Sequence, residues 1–371
     1  MIAASRPIQR PRDAKLLVVR ASGEIRHAPR SALVDVLEAG DVVVANDAAT
    51  LPASLAGTHL GTGAPVEVRL AGRASLDLRE IRHLTAVVFG AGDYRTRTEE
   101  RALPPPLSSG DRLVLGPLQA VVQRTLGHPR LVQLELAGSE ADIWAGIARH
   151  GRPIQYAHVP EPLSLWDVWT PLAGPPVAFE PPSAGFALDH RTLARMRQRS
   201  IELVTLTHAA SISSTGDAEL DRSLPLDEPF RIPESTAKAI ASARDQGHRV
   251  VAVGTTVVRA LEQSARDDGV VQTGDGVATG RIGPTSTLRI VDAIVSGTHE
   301  PGTSHFELLR AFASDKTLTR ASAALERGLY LTHEFGDSVL LERSLQPTAA
   351  LHHVGLRGAP LLTGMEGANH A

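Results

Sequence analysis

Near Pro52 the hydrophobic pattern of this chain changes period, and near Gly151 it changes back. Before Pro52, "LLVVR" at 16–20 reads as a strand. "SALVDVLEAGDVVVAND" at 31–47 reads as a helix capped by Ser31 and closed by Gly40, then a strand from Asp41 to Ala45. From Pro52 to about residue 150 come short alternating runs, "PVEVRLAG", "TAVVFG", "DRLVLG" and "RLVQLELAG", separated by Gly, Pro and Ser. That texture predicts an all-β module, a small barrel or sandwich, with "PPPLSSGD" at 104–111 as a loop inside it. After residue 152 strands and helices alternate again. "IELVTLT", "HRVVAVG" and "LRIVDAIVSG" are near-continuous apolar strands, and helices are expected from Asp189, from Glu234 to Gly247, and at "SHFE", where Ser304 and Glu307 have capping-box spacing. The 371 residues suffice for this plan: an α/β domain from 1–52 and 151–345, an inserted β module from 53–150, and a tail from 346–371.

One short stretch points to a ligand. "VVAVGTTVVRALE" at 250–262 ends a buried strand at Gly254-Thr255-Thr256 just where a helix begins. In α/β folds, ligands sit at the carboxyl ends of strands against helix N-termini, whose free N–H groups favour an anion. Gly254 admits close approach, Thr255 and Thr256 can cap the helix or bond a ligand, and Arg259 can add a fork of donors. Equally, a threonine can simply cap the helix while Arg259 is solvated.

Other chemistries lack support. With no cysteine there are no disulfides, thiolate nucleophiles or iron–sulfur ligands. There is no phosphate-binding G-x-x-x-x-G-K-[ST], no G-x-S-x-G elbow and no H-E-x-x-H, and no metal is expected. "TGDGVATG" at 273–280 leads into no helix and reads as a loop, and "LHHVG" at 351–355 falls in the tail. The formal net charge of −3 excludes a basic nucleic-acid binder overall, although "RTRTEER" at 95–101 and "HRTLARMRQR" at 190–199 are local basic clusters. No apolar run is long enough for a membrane span, and "MIAASRPIQRPRD" lacks a signal-peptide core, so a cytoplasmic location is expected.

Taken in order, the segments resemble the S-adenosylmethionine:tRNA ribosyltransferase-isomerases of queuosine synthesis. "RPRDAKLLVV", "LEAGDVVVANDAATLPASLAG", "TGAPVEVRL", "PPSAGFAL", "RIPESTAKAI", "RVVAVGTTVVRALE", "VDAIVSGTHEPGTSHFELLRAF" and "FGDSVLL" follow that family's motifs over residues 1–345. The resemblance implies a partly closed, barrel-like α/β domain with an inserted small β-barrel. It also implies the family's reaction: the ribosyl part of S-adenosylmethionine moves to a 7-aminomethyl-7-deazaguanine base in tRNA and isomerises to epoxyqueuosine, releasing adenine and methionine. On that reading Gly254, Thr255, Thr256 and Arg259 clamp the methionine carboxylate. Ser183, Ala184 and Gly185 supply a tight turn, Asn46 and Asp47 hold ribose hydroxyls or the ammonium, and His208, His299 and Asp47 are the candidate catalytic groups.

The departures fall on long polar side chains. Ala49, Ser54 and Ser164 stand where the family has arginine, and Ala187 where it has histidine. The loop "TLTHAASISSTGD" at 205–217 replaces the family's "TLHVG-x-GTF", so that His208 sits one residue late, and "SLPLDE" keeps only Glu228 of a polar motif. Binding to tRNA is therefore expected to be weakened, with the rebuilt loop meeting the acceptor. A paralogue acting on a non-tRNA acceptor, or a non-catalytic binding protein on the same fold, are the other readings.

Overall fold

The computed structural model describes residues 1–7, 14–265 and 268–344. The whole of the early "RPRD" at 10–13 and the 346–371 segment, with "LHHVG", lie outside the described residues.

Nine strands form the main sheet, in the spatial order Gly274–Ala278, Glu228–Ile232, Glu202–His208, Val42–Asn46, Val250–Val253, Ala293–Gly297, Ser338–Glu342, Lys15–Val19 and Ile25–Pro29. The four strands from Glu202–His208 to Ala293–Gly297 run parallel to their neighbours within that group. Their side chains alternate between two cores. Val42, Val44, Val250 and Ala252 pack with helices Glu234–Asp245 and Thr255–Ser264 on one face, while Val43, Ala45, Val251 and Val253 pack with Leu33, Val34 and Met196 on the other. Cover on both faces is why these strands read as unbroken apolar runs. Among the described residues the sheet is open, bounded by Gly274–Ala278 and Ile25–Pro29.

Strands Ser54–His59, Pro65–Gly72, His83–Phe89, Arg112–Leu115, Leu118–Thr125 and Leu131–Leu136 close into a six-stranded antiparallel barrel. Alternate residues such as Val66, Val68 and Leu70 fill its interior. Phe179, Ile212, Leu220 and Leu224, from the α/β part of the chain, join the same core, so barrel and sheet share packing. Around Phe89 in the barrel wall stand three buried arginines, Arg69, Arg101 and Arg130, with guanidinium carbons 4.8, 5.2 and 5.0 Å from its ring centre. Glu67 answers two of them: Arg69 Nε donates to it at 2.8 Å and Arg101 Nη1 donates to its other oxygen.

Three local expectations are corrected. Ser31 caps nothing: a 3-10 turn, Arg30–Ala32, precedes a helix at Leu33–Val36 that begins without a side-chain cap, its position set by burial of Leu33, Val34 and Val36. The helix Ser304–Leu309 is capped by Thr303, whose hydroxyl accepts from Phe306 N, and Glu307 pairs with Arg310 instead of closing a capping box. "TGDGVATG" is no loop. Gly274–Ala278 pairs with Glu228–Ile232 because Phe230 lies over Gly276, where a Cβ would fall 2.4 Å from the ring. Among the described residues no helix is long and apolar enough to cross a membrane.

Candidate active site

The four parallel strands end together at Asn46, His208, Val253 and Gly297. At this edge lies a cavity of about 650 Å³, within the roughly 300–1,000 Å³ of small-molecule sites. Its walls come from the turn after Val253, the loop Ala210–Ser214, the segment Thr298–Glu300, the stretch Glu180–Ala184 beside Tyr156, and the turn Thr332–Phe335.

Gly254 fixes the first wall. Its backbone, at φ 96° and ψ 159°, lies in a region open essentially to glycine alone, and Gly254 N donates to Val295 O at 2.8 Å. The chain then turns straight into helix Thr255–Ser264, which has no side-chain cap. Thr255 and Thr256 are therefore helical residues rather than caps, and the first N–H groups of the helix lack intrahelical acceptors where Gly254, Thr255 and Thr256 line the cavity. A Cβ on Gly254 would meet Ala184 Cβ at 3.4 Å, an ordinary contact, so the backbone angle rather than lack of space is what calls for glycine beside the Ser183–Ala187 turn. Ser183 and Ala184 line the cavity; Gly185 is buried beneath them against Thr170.

Arg259 reaches the cavity with its guanidinium already engaged. It donates to Glu228, to Ala278 O at 2.9 Å and, at longer range, to Gly280 O and Leu226 O. Burial lowers its pKa to about 10, Asp227 opposes that shift and Arg281 adds to it; the group stays cationic at neutral pH. Glu228 also accepts from Ser211 N at 2.6 Å, which ties the rebuilt loop to the same pair.

Asn46 and Asp47 serve the strand ends. Asn46 Nδ2 donates to His208 O at 2.9 Å, and its Oδ1 accepts from His208 N and Ala48 N, each at 3.0 Å. Asp47 accepts from the Thr205 and Thr207 hydroxyls at 3.0 and 2.6 Å. Neither lines the cavity. His208 is completely buried behind the wall, its ring parallel to Phe230 and its Nε2 3.4 Å from Glu228. Burial, then Arg259, pushes its pKa down to about 3, so the imidazole is neutral at pH 7. His299 does line the cavity, 2.9 Å from the Ser296 hydroxyl and 4.7 Å centre to centre from His305. Burial lowers its pKa well below the usual histidine value, with His305 and His333 adding to the shift.

The most unusual carboxyl in the cavity is Glu180, which no motif in the sequence marks. Tyr156 OH donates to one oxygen and Ser213 N to the other at 3.1 Å. Burial pushes its pKa up to about 7; the Ser213 and Tyr156 hydrogen bonds oppose the rise and the charge of Glu334 adds to it. A carboxyl titrating near neutrality is matched to proton transfer. Its one signal in the sequence is an acidic residue inside an apolar, proline-rich stretch, "VAFEPPSAG". Tyr156 carried no signal at all.

The four positions that depart from the family motifs lie off the cavity. Ala49 is buried in a two-residue strand beside Pro176–Ala178, the Ser54 hydroxyl donates to Glu67 at 2.8 Å, Ser164 N donates to Asp167 at 2.8 Å, and Ala187 is buried.

Fold and cavity together define an α/β protein with a flanking closed β-barrel and a ligand-sized pocket at the carboxyl ends of its parallel strands. The sequence model of the family described as "Queuosine biosynthesis protein" matches residues 1–341, and the chain belongs to that family. It is 31% identical to the S-adenosylmethionine:tRNA ribosyltransferase-isomerase of Sorangium cellulosum, over 92% of this chain and 95% of the relative. The enzyme of that name from Thermus thermophilus is also 31% identical, over 89% and 93%. A crystal structure of S-adenosylmethionine tRNA ribosyltransferase from Thermotoga maritima aligns with a TM-score of 0.48 at 22% identity, covering 91% of this chain and 96% of that one.

Proposed function

We propose that this protein is an S-adenosylmethionine:tRNA ribosyltransferase-isomerase, moving the ribosyl moiety of S-adenosylmethionine to a 7-aminomethyl-7-deazaguanine base in tRNA and isomerising it to epoxyqueuosine. The observation that carries this reading is the uncapped helix N-terminus opening into the cavity at Gly254-Thr255-Thr256. It receives the methionine carboxylate, as such helix ends receive anions. Arg259, committed to Glu228, holds the cavity wall and adds positive potential rather than a free clamp. Asn46, Asp47 and His208 position the strand ends and the loop behind the site. Ser183, Ala184 and the turn at Gly185 form the floor, and His299, neutral and held by Ser296, faces the substrate.

Glu180 is the proton acceptor. Its carboxylate takes a C5′ proton next to the sulfonium; the C–H electron pair stays on C5′, stabilised by the positive sulfur, and the carboxylate becomes a neutral carboxyl. Removing that charge in a buried place is favourable, which suits a base whose pKa burial has raised.

Calorimetry tests the donor half. The wild type binds S-adenosylmethionine, and Gly254→Ala both loses about 1–3 kcal/mol of stability, from the disallowed backbone, and weakens binding, because relief of that strain shifts the helix N–H groups that receive the carboxylate. A wild type that does not bind S-adenosylmethionine overturns the reading. On the acceptor side, Arg222 and Arg281 are the arginines that line the cavity beside Arg259, and the family's lost cations lie elsewhere. Two phosphate contacts give a logarithmic salt slope of about −1.4 to −1.8 for tRNA binding, at −0.7 to −0.9 each. A slope several-fold steeper would mean that the missing arginines have been replaced and that binding is not weakened.

A further inference from the structure

Beside Tyr156, at the edge of the cavity, three ligand-type side chains converge from two segments. His158, His333 and Glu334 each offer a donor atom, and all three atoms lie within 4.8 Å of one another. His158 Nε2 stands 3.4 Å from Glu334 Oε2. Bonds of about 2.1 Å at a tetrahedral centre place neighbouring donors roughly 3.4 Å apart, so this edge already has the right length. The other two edges lie within the same 4.8 Å, and closing them falls to His333, the exposed member. His158 Nε2 is shielded from solvent and, with Glu334 at 3.4 Å as its neighbour, makes no aligned hydrogen bond among the described residues, which is costly for a buried polar atom.

Both supporting segments are fastened. Gln155 anchors the first: its amide donates to Val159 O and Glu161 O at 2.7 and 2.6 Å and accepts from Leu163 N at 2.9 Å. Tyr156 lies parallel to the His158 ring at 6.0 Å. The second segment is a turn closed by Gly336 N donating to His333 O at 2.9 Å, with Asp337 accepting from Leu331 N and Lys15 N. His333 itself sits at φ 67°, a left-handed conformation that a residue with a Cβ adopts at a cost, and it brings the ring to 4.3 Å from that of His158. Strain of this kind gathers where the surroundings hold a side chain in a working position.

We propose that His158, His333 and Glu334 bind a divalent first-row transition metal, with Zn²⁺ the best match. Two imidazoles and one carboxylate are a borderline donor set suited to that class, and three protein ligands leave a fourth position open. His333 and Glu334 line the cavity, so the open position faces it. The sequence hides the site because its ligands come from segments far apart in the chain and match no ligand-spacing motif.

The test reads metal binding itself and is independent of the reaction proposed above. Chelator-treated full-length protein is titrated with Zn²⁺ by calorimetry and with Co²⁺ by visible absorption, where a tetrahedral site gives intense bands. One equivalent binds the wild type at micromolar or tighter affinity. His158→Ala and Glu334→Gln each weaken binding by at least about tenfold, the lower end of what losing even an outer-sphere partner costs a metal site. Circular dichroism checks that these variants fold, and His333→Ala, at an exposed position, supplies a third variant should either fail. Replacing both His352 and His353 with alanine controls for the adjacent histidines of the C-terminal segment and leaves binding unchanged. No wild-type binding below about 100 µM, binding lost in the His352/His353 control, or binding indifferent to all three ligand substitutions would overturn the site.

Discussion

Glu180→Gln is expected to lower the rate of adenine release by about 10²- to 10⁴-fold, the range typical of a lost general base, while affinity for S-adenosylmethionine stays within a few-fold of wild type. Glutamine keeps the volume; its carbonyl oxygen can accept from Ser213 N, while its amide nitrogen donates to the Tyr156 oxygen, whose hydroxyl turns to Ser214 O, so the cavity wall survives and the proton acceptor is lost. The pH dependence carries the same signature. Because burial has pushed the Glu180 pKa up to about 7, the wild-type rate rises as pH passes through 7 and the carboxylate forms, then levels off. The charged and titratable groups acting on Glu180 are Tyr156 and Glu334; burial raises the phenol well above its usual value, so it remains a donor throughout that window. In Glu180→Gln the limb disappears along with most of the rate. Should the limb persist in the variant, another group takes the C5′ proton and the assignment of Glu180 fails.

Glu67→Ala is expected to destabilise the fold by about 3–5 kcal/mol, measured as a fall in the urea-unfolding midpoint, because it strands two buried guanidinium groups at once. Arg69 is 1% exposed and Arg101 is 3% exposed, and a third cation, Arg130, shares the ring of Phe89. The pH dependence follows from Glu67 itself. Burial works to raise its pKa, but Arg69 and Arg101 outweigh burial and hold it below the ordinary carboxylate value. The stabilisation is therefore present in full above the unfolded-state carboxylate pKa and is lost as pH falls through the lower folded-state value. Wild type and Glu67→Ala should converge in stability at strongly acidic pH. A gap below 1 kcal/mol at pH 7 would show that the arginines find other partners or water. The same cluster bears on the site, since Arg69 lies over Tyr156 with its guanidinium carbon 5.6 Å from the ring centre, and Tyr156 holds Glu180.

The elements that sequence made legible are those whose pattern is local. Alternation between Pro65 and Leu136 read as short strands because each has one face inside the barrel, and the parallel strands read as unbroken apolar runs because both faces are covered. Gly254 before Thr255 read as a strand-to-helix turn because its backbone geometry tolerates little else. What failed locally was decided at a distance. Gly274–Ala278 resembles a flexible glycine loop until Phe230 supplies a reason for Gly276, and Arg259 resembles a free cation until Glu228 and the carbonyls of Ala278, Gly280 and Leu226 occupy it. His208 reads as part of a ligand loop because the polar run "SISSTGD" follows it, yet that loop folds back through Ser211 and Glu228 and leaves the ring behind the wall. Glu180, Tyr156, His158, His333 and Glu334 come together only in three dimensions, and no spacing in the sequence connects them.

One assay bears most directly on the proposed activity. Purified protein is incubated with S-adenosylmethionine, with and without tRNA carrying 7-aminomethyl-7-deazaguanine, and free adenine, methionine and the digested nucleosides are followed by mass spectrometry. Adenine and methionine should appear in equal amounts only with the modified tRNA, alongside a nucleoside that has gained the ribosyl-derived group. Absence of adenine with that tRNA, or its release at the same rate without any tRNA, would contradict the assignment of the acceptor and with it the proposed reaction.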